Sequence, residues 1–164
     1  MTHFNVNEHI NIKTQLFLSR VVDGDGIILN NLFNKSEEEI RFLGIDAPEI
    51  KRCRKLFQDE RETHIAGEFL IQLGWLSFNF MKEIVLPGTN ITIELEKYDH
   101  TDLYGRTLAY VYLPDGRCLN EIMIAEGYAK PFSRYSCREL PNYQVLNIKA
   151  KNERKGLYGI VEYF

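Results

Sequence analysis

Three short stretches set acidic and basic side chains at spacings that phosphodiester chemistry uses. They are Val22-Asp23-Gly24-Asp25-Gly26, Arg41-Phe42-Leu43-Gly44-Ile45-Asp46-Ala47-Pro48-Glu49 and Thr101-Asp102-Leu103-Tyr104-Gly105-Arg106. Carboxylate and carbonyl oxygens suit a hard cation, guanidinium forks suit the charge that builds on a phosphate, and a carboxylate takes the proton of an attacking water. Asp25, Asp46, Glu49, Arg41 and Arg106 are the candidates for those roles.

Each stretch alone has a plainer reading. Asp23-Gly24-Asp25-Gly26 reads as a turn between strands, with Gly supplying positive φ and Asp23 capping the turn. A calcium-binding EF-hand loop is excluded, because its glycine position is Ile28 and its bidentate glutamate position is Asn34. Arg41, between Ile40 and Phe42, points to the face opposite those apolar side chains, where pairing with Asp46 or Glu49 would satisfy it. Pro48 biases Ala47 toward extended backbone, which orients the Ala47 carbonyl and the carboxylates on either side. The specific signal is the joint occurrence.

The elements that must hold these groups follow from periodicity. Strand signals fall at residues 13–22, 26–33, 38–45, 90–98 and 106–113, most clearly where Ile91, Ile93 and Leu95 alternate with Thr92, Glu94 and Glu96. A long helix is expected from a capping box at Asp59 and Glu62, carried by Ala66, Phe69, Leu70, Leu73, Leu76, Phe80, Met81 and Ile84, and ended by Pro87-Gly88. Gly67 and Gly74 inside it mark close packing. Shorter helices are expected over 120–126, closed by Gly127, and over 142–155, with Gly156 at the C-cap and Leu157 in contact beyond it. This α+β order is compatible with a five-stranded OB barrel, though pattern alone does not select it.

The order and text of the three motifs resemble the staphylococcal nuclease family, over roughly residues 13–158. That resemblance implies an α+β fold, a five-stranded OB-fold barrel with three helices. It implies Ca²⁺ as cofactor, with Asp25, Asp46 and the Ala47 carbonyl as ligands, Glu49 as general base, and Arg41 and Arg106 as the arginines that stabilise the transition state. Tyr104 corresponds to a tyrosine beside the substrate phosphate. The family's base-stacking aromatic falls near Ser133, so Tyr135 and Phe132 are the displaced candidates, and Tyr135 is taken as substrate-binding. Gly26 and Ala47 stand where the family usually has Thr, and Leu103 where the staphylococcal enzyme has Lys; a retained but weaker metal site is expected. The implied activity is calcium-dependent cleavage of single-stranded DNA or RNA, breaking the 5′ P–O bond and leaving 3′-phosphate ends.

Bulk properties bound this reading. A chain of 164 residues with 45% hydrophobic content is one domain, residues 13–164, behind a polar tail of residues 1–12. Cys53, Cys118 and Cys137 lack zinc spacing and are read as reduced thiols; a Cys118–Cys137 or Cys53–Cys137 bridge is the alternative. His3, His9, His64 and His100 lack ligand spacing and are expected at the surface. No apolar run spans a bilayer and no signal peptide is read in this chain, so no membrane partner is expected, and the protein is expected to be intracellular if Met1 is native and secreted if a leader was trimmed; a monomer is expected. A net charge of −3 and a pI of about 5.8 argue against a tight polyanion binder but not against an enzyme with a local cationic site. The basic run Lys51, Arg52, Arg54 and Lys55 is either a solvated loop or a phosphate-contacting rim. Two rivals stand beside the nuclease reading. One is a non-catalytic OB module binding nucleic acid or a protein motif; the other is a secreted calcium-binding protein, which gives the two arginines no role.

Overall fold

In a computed structural model of the chain, which describes residues 11–164, the alternating segments close into a barrel. The tail up to residue 10, with His3 and His9, lies outside the described residues. Five strands form the barrel in the order β1 (Asn11–Asp23), β2 (Gly26–Asn31), β3 (Glu37–Phe42), β6 (Thr107–Tyr112), β5 (Asn90–Leu95). All neighbours are antiparallel except β3 and β6, where Ile40 pairs with Thr107 and Arg41 with Leu108. The alternation on β5 holds: Ile91, Ile93 and Leu95 are buried while Thr92 and Glu94 are half-exposed. This is the α+β OB-fold barrel the sequence implies.

The third strand signal does not run through Ile45. Gly44 adopts φ +78°, which turns the chain out of the barrel after Phe42. Ile45–Asp46 then forms the short strand β4, antiparallel to β7 (Lys130–Pro131). The metal-ligand candidate Asp46 therefore sits on a ledge beside the barrel rather than in its wall.

The expected long helix is two helices, α1 (Arg54–Thr63) and α2 (Gly67–Ile84), so among the described residues four α-helices rather than three accompany the barrel. Asp59 is interior to α1, not its N-cap. The Thr63 hydroxyl donates to the Asp59 carbonyl and accepts the Ile65 N–H, His64 takes φ +57°, and the Glu60 carboxylate accepts the N–H of Gly67 at the start of α2. Local side-chain bonds thus end one helix and begin the next. α3 (Leu119–Ala125) closes at Gly127 as expected, and α4 (Leu140–Asn152) leads into a 3₁₀ turn at Gly156–Gly159, where Leu157 is fully buried. Gly156 begins that turn instead of capping α4.

Two apolar clusters result. The larger fills the barrel and reaches Met81, Val85, Met123 and Tyr143; the smaller joins Leu56 of α1 to Leu70 and Leu73 of α2 and to Leu157, Tyr158 and Phe164. Cys53, Cys118 and Cys137 are free thiols. No helix among the described residues is long and apolar enough to cross a membrane.

α2 approaches the ledge closely only because two residues are small. A Cβ on Gly74 would meet the carbonyl oxygens of Glu49 and Pro48 at 2.4 and 2.7 Å, and one on Gly24 would meet the Cβ atoms of Ala47 and Ser77 at 2.7 Å each. Gly74→Ala at an open helix position would gain up to ~1 kcal/mol. Here overpacking against backbone reverses the sign, and urea denaturation is expected to show a loss of about 1–3 kcal/mol.

Candidate active site

The site is organised around Arg41. On β3 its guanidinium is buried, and Nη1 donates to the carbonyls of Phe42 at 3.2 Å and Ile45 at 3.0 Å. Nη2 donates to Asp46 Oδ1 at 3.1 Å, and Nη1 stands 3.1 Å from Asp25 Oδ2. Asp25 reaches this point from the β1–β2 turn, where Asp23 Oδ1 accepts the Asp25 N–H. Its Oδ2 also accepts the Ala47 N–H at 2.8 Å, which locks the first motif to the second. Asp25, Arg41, Asp46 and Ala47 are thus brought together on three elements.

Glu49 lies in the adjoining turn, half-buried. Its neighbour is Lys55, whose Nζ is 3.5 Å from Glu49 Oε1, 3.0 Å from Asp46 Oδ2 and 2.9 Å from Asp59 Oδ2. In the sequence Lys55 stands out only within the basic run and Asp59 only as a helix cap, and nothing there joins either to the carboxylates of the site. Their i, i+4 spacing was visible, but nothing in the text shows that this helix face turns inward.

The remaining candidates occupy two other segments. Arg106 and Tyr104 belong to a tight turn built on Asp102, whose Oδ1 accepts the N–H groups of Tyr104 and Arg106 and whose Oδ2 accepts Arg106 Nε at 2.7 Å. Burial of Asp102 works against its charge, but these donors outweigh it and hold the carboxyl below its ordinary value. Arg106 flanks the site through the parallel β3–β6 pairing, yet no hydrogen bond or ion pair joins it to Asp25, Arg41, Asp46 or Glu49 among the described residues. Tyr104 is 83% exposed with its ring 5.6 Å from the Arg106 guanidinium. Beyond β7, Phe132 lies under Arg41 at 5.7 Å, anchored by its N–H to the Gly44 carbonyl, and Tyr135 packs edge-on against Phe132. Of the two candidates Phe132 is therefore the one against the charged group, with Tyr135 one ring further out. Of the basic run, Lys55 turns inward and Arg52 pairs with Glu68, so it is not one uniform rim.

Electrostatically the carboxylates are under-compensated. Burial pushes Asp25 up to about 7, even though Arg41 opposes it. Burial also raises Glu49 above its ordinary range, with Lys55 opposing. Arg41 behaves oppositely: burial works against its charge, but Asp25 and Asp46 win and raise it. Among the described residues no three His, Cys, Asp or Glu side chains cluster closely enough to hold a metal by themselves. The donor set does fit a hard cation in another way. Two nearly buried carboxylates, Asp25 and Asp46, are oxygen donors of the kind a hard cation takes.

The molecule is thus an OB-fold domain that presents a buried guanidinium between two aspartates, with a glutamate in the next turn. The chain belongs to the staphylococcal nuclease family: a family profile described as staphylococcal nuclease homologue matches residues 39–159. An uncharacterized endonuclease of Escherichia coli O157:H7 is 31% identical over 139 residues, covering 85% of this chain and 73% of that protein. In Bacillus subtilis (strain 168), endonuclease YncB is 28% identical over 143 residues (86% of this chain, 60% of YncB). The SPbeta prophage-derived endonuclease YokF of the same strain is 32% identical over 138 residues (84% and 40%). The chain thus spans less than two thirds of the length of these two Bacillus relatives.

The pH dependence follows from Asp25. A carboxyl that binds its proton more tightly folded than unfolded makes the folded state the better proton acceptor, so stability falls as pH rises from 3.8 to about 7. Urea denaturation in chelator is expected to show a less stable protein at about pH 8 than at about pH 5. Asp25→Asn is expected to flatten most of that slope, leaving the part that Glu49 contributes.

Proposed function

We propose that the chain is a calcium-dependent nuclease that hydrolyses phosphodiester bonds of single-stranded DNA or RNA, acting as a monomer. The observation that carries this reading is Arg41, held rigidly between Asp25 and Asp46 with Glu49 in the adjoining turn. A guanidinium so fixed is preorganised for the equatorial oxygens of a phosphorane-like transition state and need not reorganise as charge develops. The endonuclease names of the relatives support the same reaction class.

Asp25, Asp46 and the Ala47 carbonyl would hold the calcium ion, which when bound supplies positive charge to the scissile phosphate and lowers the pKa of water beside it. Glu49 takes the proton of the attacking water, and its burial-raised pKa makes it a stronger base than an exposed glutamate. Arg41 neutralises charge on the phosphate from the barrel wall. Arg106 does so from the β6 side: Asp102 takes its Nε, leaving the terminal amino groups to face substrate. Tyr104, exposed beside Arg106, contacts the phosphate backbone, and Tyr135 with Phe132 offers ring surface to a base.

Cleavage of single-stranded DNA and RNA is expected with Ca²⁺ and not with EGTA; full activity in metal-free protein, verified by elemental analysis, overturns the mechanism. Arg41→Lys and Arg106→Lys should each lower kcat/KM by about 10²-fold or more, since an ammonium cannot copy a forked donor. Glu49→Gln should lower kcat by at least about 10²-fold. Calcium-dependent affinity for a 3′,5′-bisphosphonucleotide should survive that substitution. Unchanged turnover in all three folded variants removes these side chains from the chemistry, whereas no cleavage by the folded wild type with Ca²⁺ favours a non-catalytic OB module.

A further inference from the structure

Two protein cations face the site carboxylates, and they are held differently. Arg41 is 7% exposed and donates to two backbone carbonyls of its own strand and turn, so it cannot leave without stranding them. Lys55 comes from α1 on a flexible stem, its side chain is 32% exposed, and its only polar partners among the described residues are carboxylates. Asp46 is shared between them, Oδ1 to Arg41 and Oδ2 to Lys55. The same ammonium also stands against Glu49.

We propose that Lys55 is a tethered counter-cation: it neutralises and aligns Asp46 and Glu49 in the metal-free protein and withdraws onto Asp59 when Ca²⁺ is bound. This role rests on the calcium reading above. Asp59 is suited to receive the ammonium because it lies one helical turn beyond Lys55 on the same face, already in contact at 2.9 Å. A divalent ion bonded to Asp46 would sit within a few ångströms of Nζ, and the repulsion is strongest where both charges are partly desolvated. Withdrawal frees Asp46 Oδ2 and removes the ammonium from Glu49. One movement thus couples metal binding to release of the proton acceptor. Lys55 is a positioning residue in this scheme, acting through Asp46 and Glu49.

A structural staple is the plainer account of the same contacts, but α1 does not need one here. Leu56, the next residue, is fully buried among Leu70, Leu73 and Leu157 and docks the helix without any ionic contact. A staple also needs one carboxylate partner, whereas Lys55 has three within 4 Å.

The two accounts predict opposite signs for Lys55→Met. Isothermal titration of the full chain with Ca²⁺ is expected to show Lys55→Met binding at least about fivefold tighter than wild type, the low end of coupling between linked sites. Asp59→Asn should bind more weakly, because Lys55 then loses its alternative partner and stays on Asp46 and Glu49. In the wild type, Ca²⁺ should speed reductive methylation of Lys55 Nζ, read by mass spectrometry. A staple predicts weaker or unchanged calcium binding in Lys55→Met, and that outcome overturns the proposal while leaving the calcium reading intact. If wild type and both variants bind no calcium at roughly 10⁻² M, beyond the weakest protein calcium sites, the calcium reading itself falls and the proposal with it. Should Lys55→Met fail to fold, the labelling decides: a methylation rate that Ca²⁺ does not increase overturns the withdrawal.

Discussion

A guanidinium taken out of water against the wall of a β-barrel is costly unless every donor finds an acceptor, and the candidate-site half of this molecule is shaped by that requirement. Arg41 draws the carbonyls of Phe42 and Ile45 onto one nitrogen and Asp46 onto another, so the chain after β3 must fold back around the side chain of its own strand. The left-handed Gly44 makes that reversal sterically possible. Asp25 arrives from the neighbouring turn and is fixed by the Ala47 N–H as well as by Arg41. Buried ion pairs of this kind are a poor source of net stability, and removing one partner typically costs about 3–5 kcal/mol because the other is left unpaired. What they supply is a single arrangement, which is what transition-state stabilisation requires.

The surrounding packing enforces the same arrangement from two sides. α2 presses its Gly74 against the Pro48 and Glu49 carbonyls, and Gly24 leaves room for Ala47 and Ser77, so the turn carrying Glu49 is clamped between helix and hairpin. On the other side Asn120 of α3 is fully buried. Its amide donates to the carbonyls of Leu43 and Ala109 and its oxygen accepts the Val111 N–H. That one side chain ties α3 to β6 and to the residue just before Gly44. The reversal around Arg41 is therefore held by backbone hydrogen bonds and steric contact on rigid elements, the condition under which a site keeps its geometry.

The barrel and the main charged group were legible because each rests on local text: alternation on β5, Gly-punctuated turns, and motifs whose residues stay within one loop or one strand pair. The break between α1 and α2 was not. Asp59 and Glu62 match a capping-box spacing, yet the helix already runs through Asp59, and its end is set by Thr63, His64 and Glu60 in contacts that periodicity does not register. Lys55 and Asp59 escaped for a related reason. A charged i, i+4 pair looks the same on a solvated face as on one turned toward a neighbouring carboxylate. Likewise the text places Tyr104 and Arg106 with the other motifs, but not how Asp102 holds them on a separate turn beside the site.

The acidic balance of the chain, awkward for a protein that handles a polyanion, has a local counterpart. Around Glu49 four carboxylates, Asp25, Asp46, Glu49 and Asp59, face two cations, Arg41 and Lys55. When all are ionised, negative charge is in excess, and a phosphodiester approaching such a site is repelled. On the proposed reading a divalent ion balances that excess, so the site accepts a phosphate only once the ion is present. Long-range steering by a basic surface would draw nucleic acid to the protein whether or not it was competent to cut. A site whose two cations are bound to its own carboxylates would, on that reading, tie attraction of the substrate to occupancy of the metal site, so that substrate recruitment and chemistry depend on the same event.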